Sequence, residues 1–331
     1  MKTYGAFCFF LSLSMIILPL FSLDDTVDKI FKESPTEKVE NIEPPKESLH
    51  KKDDTVKIMS ACSNNITETS LREYLIGTVF GEIGSSYHEE AIKAQVVACH
   101  TMLIYSKKYK NEGLNGADIS DSGKTHQEYM SIEKQREKFG ENYNDARKKI
   151  EKCVDEVIDK VILYDGKIIM PAFSSMSNGK SENAENVWSG GYPYLVSVSS
   201  DGDKLANDFI SEVNVSLEDF KNIIGKDKID KDLEPQKYIG EIKNTDTGMV
   251  KSIIICGNEF KGTEIRKMFN LKSSTFTVKY VDESFKFTVK GYGHGVGMSQ
   301  NGANFLANQG MTYDQILKHY YKGVSIENYK E

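Results

Sequence analysis

The chain has 331 residues, 49 of them acidic and 42 basic, so its formal net charge is −7. That balance repels polyanions and argues against a nucleic-acid-binding protein. Hydrophobic residues make up 39% and charged residues 27%, which is typical of globular proteins and excludes collagen, full-length disorder and a polytopic membrane protein. The five cysteines are widely spaced without a CxxC pair, so no disulfide framework is predicted.

The N-terminus predicts one membrane helix. Residues 5–23 carry no charge, Lys2 precedes them and Asp24 follows. This length is close to the roughly 20 residues that span a hydrocarbon core, and the basic flank predicts a cytoplasmic N-terminus with the rest of the chain outside. No small-residue cleavage site ends the run, so an uncleaved anchor is favoured over a removed signal peptide.

Residues 24–56 are rich in Asp, Glu, Lys, Ser and Pro and predict a disordered stalk, because they cannot bury enough apolar surface to offset the entropy of ordering. The exported globular domain is therefore expected at residues 57–331. Within it, apolar residues at helical spacing predict helices at 71–80, 88–109 and 145–161. The polar interval 110–140 is expected to be loop or short helix.

Strands are predicted later in the chain, at 161–169, 194–199, 250–255, 275–281 and 285–289. Helices early and strands late favour an α+β fold over a regular βαβ alternation. Cys99 lies on the apolar face of its predicted helix and His100 points elsewhere, so Cys99 is expected in the core.

Several motif classes are absent. The sequence contains no HExxH, GxSxG or GxxxxGK[ST], which removes support for zincin proteases, α/β-hydrolases and P-loop nucleotide hydrolases. The segment GYGHGVG also fails the dinucleotide pattern, because Val296 stands where a third glycine is required. No cofactor is expected.

Glu82 is the first candidate for chemistry, in the segment GEIG between two predicted helices, where Gly81 and Gly84 allow close approach of a substrate. Partial burial would raise its pKa toward neutrality and suit a general acid for a glycosidic oxygen. The alternative is a structural acid in a first helical turn, favoured by the helix dipole. Spacing alone favours the structural interpretation, since structural acids outnumber catalytic ones.

Two glycine-rich segments are candidates for a binding surface. Residues 174–195 combine hydroxyls and amides with Trp188, a composition that suits sugars and equally suits a solvated loop with a core tryptophan. Residues 291–310 contain six glycines, four of them around His294 before an amphipathic helix. Backbone that approaches a ligand needs such glycines, although a lone histidine is often structural.

The segments REYLIGTVFGEI, EAIKAQVVACHT, FSSMSNGKSENAENVW, YPYLVSV and GYGHGVGMSQNGANFLANQGMTYDQILKHYYKGV occur in this order. Together they resemble the stage II sporulation protein D family, whose relatives include the LytB-type amidase enhancers. The resemblance covers about residues 57–326. It implies an exported catalytic domain with a glycan-binding cleft, anchored in the mother-cell membrane at the sporulation septum.

The resemblance further implies a peptidoglycan lytic transglycosylase that acts in forespore engulfment. Glu82 matches the family's catalytic glutamate, which protonates the oxygen between N-acetylmuramic acid and N-acetylglucosamine and then deprotonates the muramyl C6 hydroxyl. Intramolecular attack gives a 1,6-anhydro end, so no second carboxylate is needed. The implied substrate is glycan stripped of stem peptides by an amidase, stage II protein P, with stage II protein M as membrane scaffold.

By the same resemblance, a further set of positions is expected to line the glycan cleft. These are Gln127, Tyr129, Ser175, Ser177, Trp188, His294, Ser299 and Gln300. Gln127 and Tyr129 match a Q-x-Y element, and the two serines Ser175 and Ser177 are expected to bind acetamido groups.

One departure from the family concerns zinc. Some members bind zinc near a DIxDxxxxxQxY element, which here reads DISDSGKTHQEY, with Ser120 where a cysteine is expected and only His126 available. Because a zinc site needs four ligands, or three and water, no structural zinc is expected. Asp118 and Asp121 are the residues whose ligation of zinc would overturn this prediction.

Two alternative functions remain. A noncatalytic module that binds peptidoglycan and activates an amidase need not keep an acid at Glu82, so the presence of that acid favours an enzyme. A hydrolytic muramidase would use the same residue but produce reducing ends, because water would reach the glycosyl cation first. The sequence does not separate the lytic from the hydrolytic outcome.

Overall fold

The computed structural model describes residues 55–109, 112–123, 126–188, 190–230 and 232–329. The described helices are α1 (Leu71–Glu82), α2 (Glu89–Lys108), α3 (Ile132–Phe139), α4 (Tyr143–Val157), α5 (Ala184–Val187), α6 (Leu217–Ile224), α7 (Gly262–Met268), α8 (Gln300–Asn308) and α9 (Tyr313–Tyr320). The strands of the first half are β1 (Thr55–Met59), β2 (Ile66–Ser70), β3 (Ile119–Ser120), β4 (Lys160–Tyr164), β5 (Lys167–Ile168) and β6 (Phe173–Ser174). Those of the second half are β7 (Ile210–Ser216), β8 (Ile239–Asn244), β9 (Val250–Ile255), β10 (Asn258–Lys261), β11 (Phe276–Val281), β12 (Ser284–Lys290), β13 (Met298–Ser299) and β14 (Ser325–Asn328).

Two hydrophobic cores organise these elements. The first core buries the apolar faces of α1, α2 and α4 together with residues of α8 and α9, which return to pack on α2 late in the chain. Small sheets flank it, in the orders β2-β1-β3, β14-β4-β5 and β13-β6. The second core lies between the sheets β10-β9-β8 and β11-β12-β7, with α6 and α7. The α+β class is confirmed.

The early helices form where the apolar spacing predicts them. Ser70 caps α1, its Oγ accepting from the Glu73 N–H at 3.2 Å, and His88 caps α2, its Nδ1 accepting from the Glu90 N–H at 3.2 Å. Helix α1 runs two residues further than predicted, to Glu82. The predicted third helix is α4, which ends at Val157 because β4 begins at Lys160. Cys99 is fully buried in the first core, as predicted.

The strand predictions fare unevenly. Strands β9, β11 and β12 confirm the predictions at 250–255, 275–281 and 285–289 to within one residue. The stretch predicted as one strand at 161–169 is the hairpin β4–β5. Its turn is formed by Asp165 and Gly166, with φ of 47° and 69°, conformations that an Asp-Gly pair adopts readily.

The strand predicted at 194–199 is wrong. In this stretch the backbone bonds scattered partners rather than one neighbouring strand. The Ser197 N–H donates to Asn183 Oδ1 at 2.8 Å and the Val198 N–H to Ser181 Oγ at 2.9 Å, while the Leu195 carbonyl accepts from the Ala184 N–H at 3.1 Å. Burial of Leu195 and Val198 explains the apolar pattern that suggested a strand.

At its N-terminal end the described chain begins with β1 at Thr55, and Val56 is fully buried there. Ordered structure therefore includes the last two residues of the predicted stalk, 24–56. The predicted anchor, residues 5–23, lies outside the described residues. Among the helices that are described, none combines the length and apolar character needed to cross a bilayer.

Candidate active site

Glu82 is the last residue of α1, not a residue of a connecting segment or of a first turn. Helix α1 ends there because the N–H groups of Ile83 and Gly84 both bond the Val79 carbonyl, and Gly84 takes the left-handed conformation with φ of 70°. The structural-acid interpretation is therefore wrong in its geometry: the C-terminal end of a helix dipole disfavours a carboxylate.

The Glu82 carboxyl group is half-buried and held at both oxygens. Its Oε1 accepts from the Glu128 N–H at 2.7 Å, and its Oε2 accepts from Gln300 Nε2 at the longer distance of 3.3 Å. Burial raises the pKa of Glu82 from 4.5 to about 7, despite these two bonds, and the Glu128 carboxylate adds to the rise. At neutral pH the group thus exists in both protonation states, as a general acid and base requires.

Two glycines of α1 position the segment that holds Glu82. A Cβ at Gly77 would clash with the Tyr129 ring, and a Cβ at Gly81 would lie 2.6 Å from the Glu128 carbonyl oxygen. The segment Gln127–Met130 therefore lies directly along the helix, and the Met130 N–H donates to the Gly77 carbonyl at 3.1 Å. Gly81 was expected to admit a substrate; instead it admits the chain's own backbone.

Gln127 and Tyr129 lie on the inner side of this segment. Gln127 is buried, and its Nε2 donates to Tyr74 OH and, at 3.1 Å, to the Cys99 carbonyl. Tyr129 stacks on Tyr74, with ring centroids 6.0 Å apart. These contacts give both residues a role in fixing the segment that carries the Glu128 N–H. Gln127 has no surface with which to meet a sugar, so the expected sugar contact is not supported by its position.

Gln300, the first residue of α8, reaches both Glu82 and the interior of α2. Its Nε2 donates to Gln95 Oε1 at 3.4 Å as well as to Glu82, and Gln95 Nε2 in turn contacts Cys99 Sγ at 3.3 Å. A buried glutamine on the apolar face of α2 is thereby satisfied, and the Gln300 amide is fixed in front of the Glu82 carboxyl group.

Ser177 and Ser299 meet at a buried carboxylate. Asp203 is fully buried in the short 3₁₀ helix Asp201–Leu205; its Oδ2 accepts from the Ser177 hydroxyl at 2.6 Å and its Oδ1 from the Ser299 hydroxyl at 2.6 Å. Ser299 also caps α8, accepting from the Gly302 N–H at 3.0 Å. The two serines therefore anchor α8, and hence Gln300, and both are nearly inaccessible.

Polar contacts connect the neighbourhood of Gln300 with the two glycine-rich segments, 174–195 and 291–310. The neighbouring residue Asn301 donates to the Ser175 carbonyl from its backbone at 3.0 Å and from Nδ2 at 3.2 Å. Ser174 Oγ accepts from the Gly295 N–H at 3.3 Å, and β6 pairs in parallel with β13 beside it. His294 follows, and its ring lies 5.0 Å from the Trp188 ring. Hydrogen bonds and a ring contact thus connect the segments of Gln300, Ser175, His294 and Trp188 in one path through the fold.

His294 is held neutral. Burial and the charge of the nearby Arg266 together lower its pKa to about 4, against the opposing effect of a hydrogen bond to the Phe173 backbone carbonyl. The Val296 N–H donates to Nδ1 at 3.0 Å, which leaves Nε2 to carry the ring proton. Trp188 packs partly against the first core and presents the rest of its ring beside this histidine. Because the Phe173 carbonyl engages the ring proton, what the pair offers is a ring surface.

A small open cavity lies beside His294 and the glycines that flank it. Hydroxyl-bearing residues and the lysines Lys180 and Lys290 line it, as does Glu182. Glu182 is buried and accepts bonds from the Asn183 N–H and Asn186 Nδ2, both at 2.8 Å, and from the hydroxyls of Thr245 and Thr247. These four donors make Glu182 a link between loops, and Glu82 does not line this cavity.

The segment 118–129, in which no zinc is expected, is hydrogen-bonded to the hairpin formed by β1 and β2. Asp118 Oδ2 accepts from the Lys57 N–H at 2.9 Å, and Asp121 Oδ1 accepts from the Ala61 N–H at 2.8 Å. Ser120 is buried in β3, and His126 is half-buried. No group of three or more His, Cys, Asp or Glu residues in the described part of the chain could hold a metal ion. The absence of zinc stays a prediction.

Two proteins of Bacillus are similar to this chain over most of its length. The chain is 33% identical over 274 residues to stage II sporulation protein D of Bacillus amyloliquefaciens, which covers 82% of this chain and 78% of that protein. Stage II sporulation protein D of Bacillus subtilis strain 168 matches with the same identity and coverage. A family model described as stage II sporulation protein matches residues 61–164. The chain belongs to the stage II sporulation protein D family.

Membership of the stage II sporulation protein D family assigns the chain a role in sporulation. The segment matched by the family model contains Glu82 and the Glu128 N–H, but Gln300 lies outside it. A more distant relative is the amidase enhancer of Bacillus subtilis strain 168, 26% identical over 313 residues, which covers 77% of this chain and 40% of that protein.

Several residues that build the site were not predicted. They are Gln95, Glu128, Glu182, Asp203 and Asn301. Gln95 carried a usable signal, because a glutamine on the apolar face of a predicted helix needs a partner. Glu128 acts through its backbone N–H, to which any residue type except proline contributes, so its side chain gave no signal.

Proposed function

We propose that this member of the family is a lytic transglycosylase that cleaves the bond between N-acetylmuramic acid and N-acetylglucosamine in peptide-stripped glycan strands. One observation carries the proposal: a half-buried carboxyl group, Glu82, has a pKa of about 7 and faces fixed amide donors. The path from Gln300 to Trp188 supports it, because rings and amides at fixed positions suit the apolar faces and acetamido groups of amino sugars.

In the proposed reaction protonated Glu82 gives its proton to the glycosidic oxygen as the bond from that oxygen to muramyl C1 breaks. The carboxylate then removes the proton of the muramyl C6 hydroxyl, whose oxygen bonds to C1. The 1,6-anhydro end forms, no water is consumed and Glu82 regains its proton. The 2.7 Å bond from Glu128 fixes Oε1, while the weaker 3.3 Å contact leaves Oε2 available for proton transfer.

The setting of this activity belongs to the same proposal. We infer that residues 5–23 anchor the chain in the mother-cell membrane at the sporulation septum, with the N-terminus cytoplasmic and the described domain outside, during forespore engulfment. The run of uncharged residues at 5–23 supports an anchor. The proposed partners are the amidase stage II protein P, which strips the strands, and the scaffold stage II protein M.

A hydrolytic muramidase is the second candidate, and Glu128 favours it. The Glu128 side chain is exposed, and its charge raises the pKa of Glu82, so a second carboxylate is present near the general acid. A second carboxylate is what a hydrolytic enzyme uses to activate water. The similarity to an amidase enhancer keeps the noncatalytic module as the outcome in which strands bind uncut.

Digestion of purified glycan strands, freed of peptides, tests the proposal. We expect the full chain in mild detergent to release products that end in 1,6-anhydro-muramyl groups, identified by mass, and Glu128→Gln to release the same products. Reducing ends that require Glu128 would instead establish a muramidase. Strands that bind without any cleavage would leave the amidase-enhancer function.

The pH profile of cleavage follows from the raised pKa of Glu82. Because the first step needs the protonated acid, kcat/KM is expected to be flat below about pH 7 and to fall about tenfold per unit above it. In Glu128→Gln the falling limb should move to lower pH, since the Glu128 charge raises the Glu82 pKa. A falling limb near pH 4.5 in the wild type would contradict the assignment of Glu82 as the acid.

A further inference from the structure

Arg266 stands apart from the other arginines of the chain. Arg72 pairs with Asp155 at 2.6 Å, Arg147 pairs with Glu73 at 2.6 Å, and Arg136 lies over the Tyr143 ring. Arg266, in the last turn of α7, donates from Nε to the Leu271 carbonyl at 3.4 Å and pairs with no Asp or Glu that the structure describes. The two terminal nitrogens of its guanidinium group are thus left for another partner.

This arrangement is energetically unusual, because Arg266 is only half-exposed. Burial lowers the pKa of its guanidinium group, and no described carboxylate offsets the loss of hydration. An anion bound to the guanidinium group would supply the missing compensation. A planar guanidinium group matches a carboxylate in two parallel hydrogen bonds.

The surroundings of Arg266 place it at the far end of the path from Glu82. Its guanidinium group donates to the Leu271 carbonyl, and the next residue, Lys272, accepts at its carbonyl from the Gly293 N–H at 2.9 Å. Arg266 thus lies beside the turn that carries Tyr292, which is 46% exposed, and His294, whose ring contacts Trp188 and whose pKa the Arg266 charge lowers. Lys272 lies 5.2 Å from the centre of the Tyr292 ring. A sugar that contacts Trp188 would therefore carry its ring substituents toward a cationic group.

The surroundings of His294 are positively charged, although the whole chain is acidic. Around His294 lie Arg266 and Lys272, and the adjoining cavity is lined by Lys180 and Lys290. The acidic groups nearby are fewer than these four cations: Asp208 lies 3.6 Å from Lys272, and Glu182 accepts four hydrogen bonds from neutral donors. The net field at this end of the path favours an anionic ligand.

We propose that Arg266 binds a carboxylate carried by the glycan strand, next to the Trp188–His294 pair. This inference rests on the proposed function. Two carboxylates of peptidoglycan have this chemistry: the lactyl carboxylate on the muramyl ring, which is free only after the stem peptide has been removed, and the terminal carboxylate of a stem peptide. We assign the lactyl group, because it sits on the sugar ring itself and needs no extended peptide to reach Arg266. The enzyme then selects stripped strands by their charge.

Binding to three strand preparations tests the proposal, with the full chain carrying Glu82→Gln so that nothing is cleaved. The preparations are peptide-free strands, the same strands with their carboxyl groups converted to methylamides, and strands with intact stem peptides. We expect the first to bind about tenfold or more tighter than the second, as a paired guanidinium–carboxylate contact implies. Adding Arg266→Gln should remove this difference and leave methylamide binding unchanged.

Lys267→Gln is the matched control, because it removes an exposed charge from the same helix and should preserve the preference. Arg266→Lys keeps the charge but loses the paired geometry, so it should retain part of the preference and serves if Arg266→Gln does not fold. Equal loss of binding to the free and methylamide strands, or no loss at all, would overturn the proposal. Tight binding of intact strands that also depends on Arg266 would overturn the lactyl assignment in favour of the peptide carboxylate.

These outcomes are independent of the cleavage chemistry. A carboxylate preference that depends on Arg266, in a protein whose wild type does not cut strands, would refute the transglycosylase proposal and leave the binding site. Normal release of anhydro ends without that preference would refute the Arg266 site and leave the transglycosylase proposal standing.

Discussion

Replacing Glu82 with glutamine is expected to reduce glycan cleavage by about a thousandfold or more, because the amide can neither donate nor accept the proton that each step transfers. Glutamine keeps the size of the side chain, and its carbonyl oxygen can still accept from the Glu128 N–H. Release of soluble fragments from peptide-free strands measures the loss. Residual activity within tenfold of the wild type would remove Glu82 from the mechanism.

The same substitution should not destabilise the fold, and its pH dependence provides the control. The pKa of Glu82 is raised in the folded state from 4.5 to about 7, so its contribution to stability is fully present below pH 4.5 and is lost as the pH rises through 7. Glutamine does not ionise. Thermal unfolding should therefore show Glu82→Gln equal to the wild type near pH 4.5 and at least as stable at pH 8. A lower melting temperature for the variant at pH 8 would contradict the raised pKa.

Replacing Asp203 with alanine is expected to lower the free energy of unfolding by about 2–4 kcal/mol, because it strands buried donors. The hydroxyls of Ser177 and Ser299 and the Ser177 N–H all bond this carboxylate, at 2.6, 2.6 and 2.8 Å. Cleavage should fall as well, since Ser299 caps the helix that presents Gln300. Urea unfolding followed by circular dichroism measures the change in stability.

Asp201→Ala is the matched control for that prediction. Asp201 belongs to the same short helix, but its side chain is 68% exposed and pairs with Lys204 at the surface. Surface pairs of this kind contribute about 0–1 kcal/mol, so the control should unfold at nearly the wild-type urea concentration. Equal destabilisation by both substitutions would mean that the short helix as a whole, not the buried carboxylate, is sensitive.

The sequence predicted the parts of this molecule whose signal is local. Apolar spacing located α1 and α2, and β-branched residues located β9 and β11, because these elements bury one face each. The strand β7 was missed because only Val215 of its inner face is buried, so its apolar signal is weak. The segment 194–199 was mistaken for a strand because Leu195 and Val198 are buried as strand residues would be, although no neighbouring strand pairs with it.

The sequence predicted the acid of the site, Glu82, but not the residues that bond it. Glu82 was singled out from a short motif, yet its bonding partners lie 46 and 218 residues away along the chain. Those partners are the Glu128 N–H and Gln300. The resemblance placed Gln300 in the glycan cleft but did not predict that it contacts Glu82. Ser177 and Ser299 were expected to contact sugar, but the buried carboxylate of Asp203, in a short 3₁₀ helix that no motif marks, accepts hydrogen bonds from both. Hydrogen bonds between residues far apart in the chain produce no periodic pattern in the sequence, so they could not be predicted from it.

The groove that Gly77 and Gly81 leave along α1 has a consequence for comparing relatives. A larger side chain at either glycine would push the segment of Glu128 off the helix and withdraw the donor from Glu82, although the acid itself would remain in the sequence. A glutamate at this position is therefore an incomplete marker of cleavage. In any relative that retains this glutamate, we expect cleavage only where small residues also stand at the positions of Gly77 and Gly81, four residues apart on the same helix face.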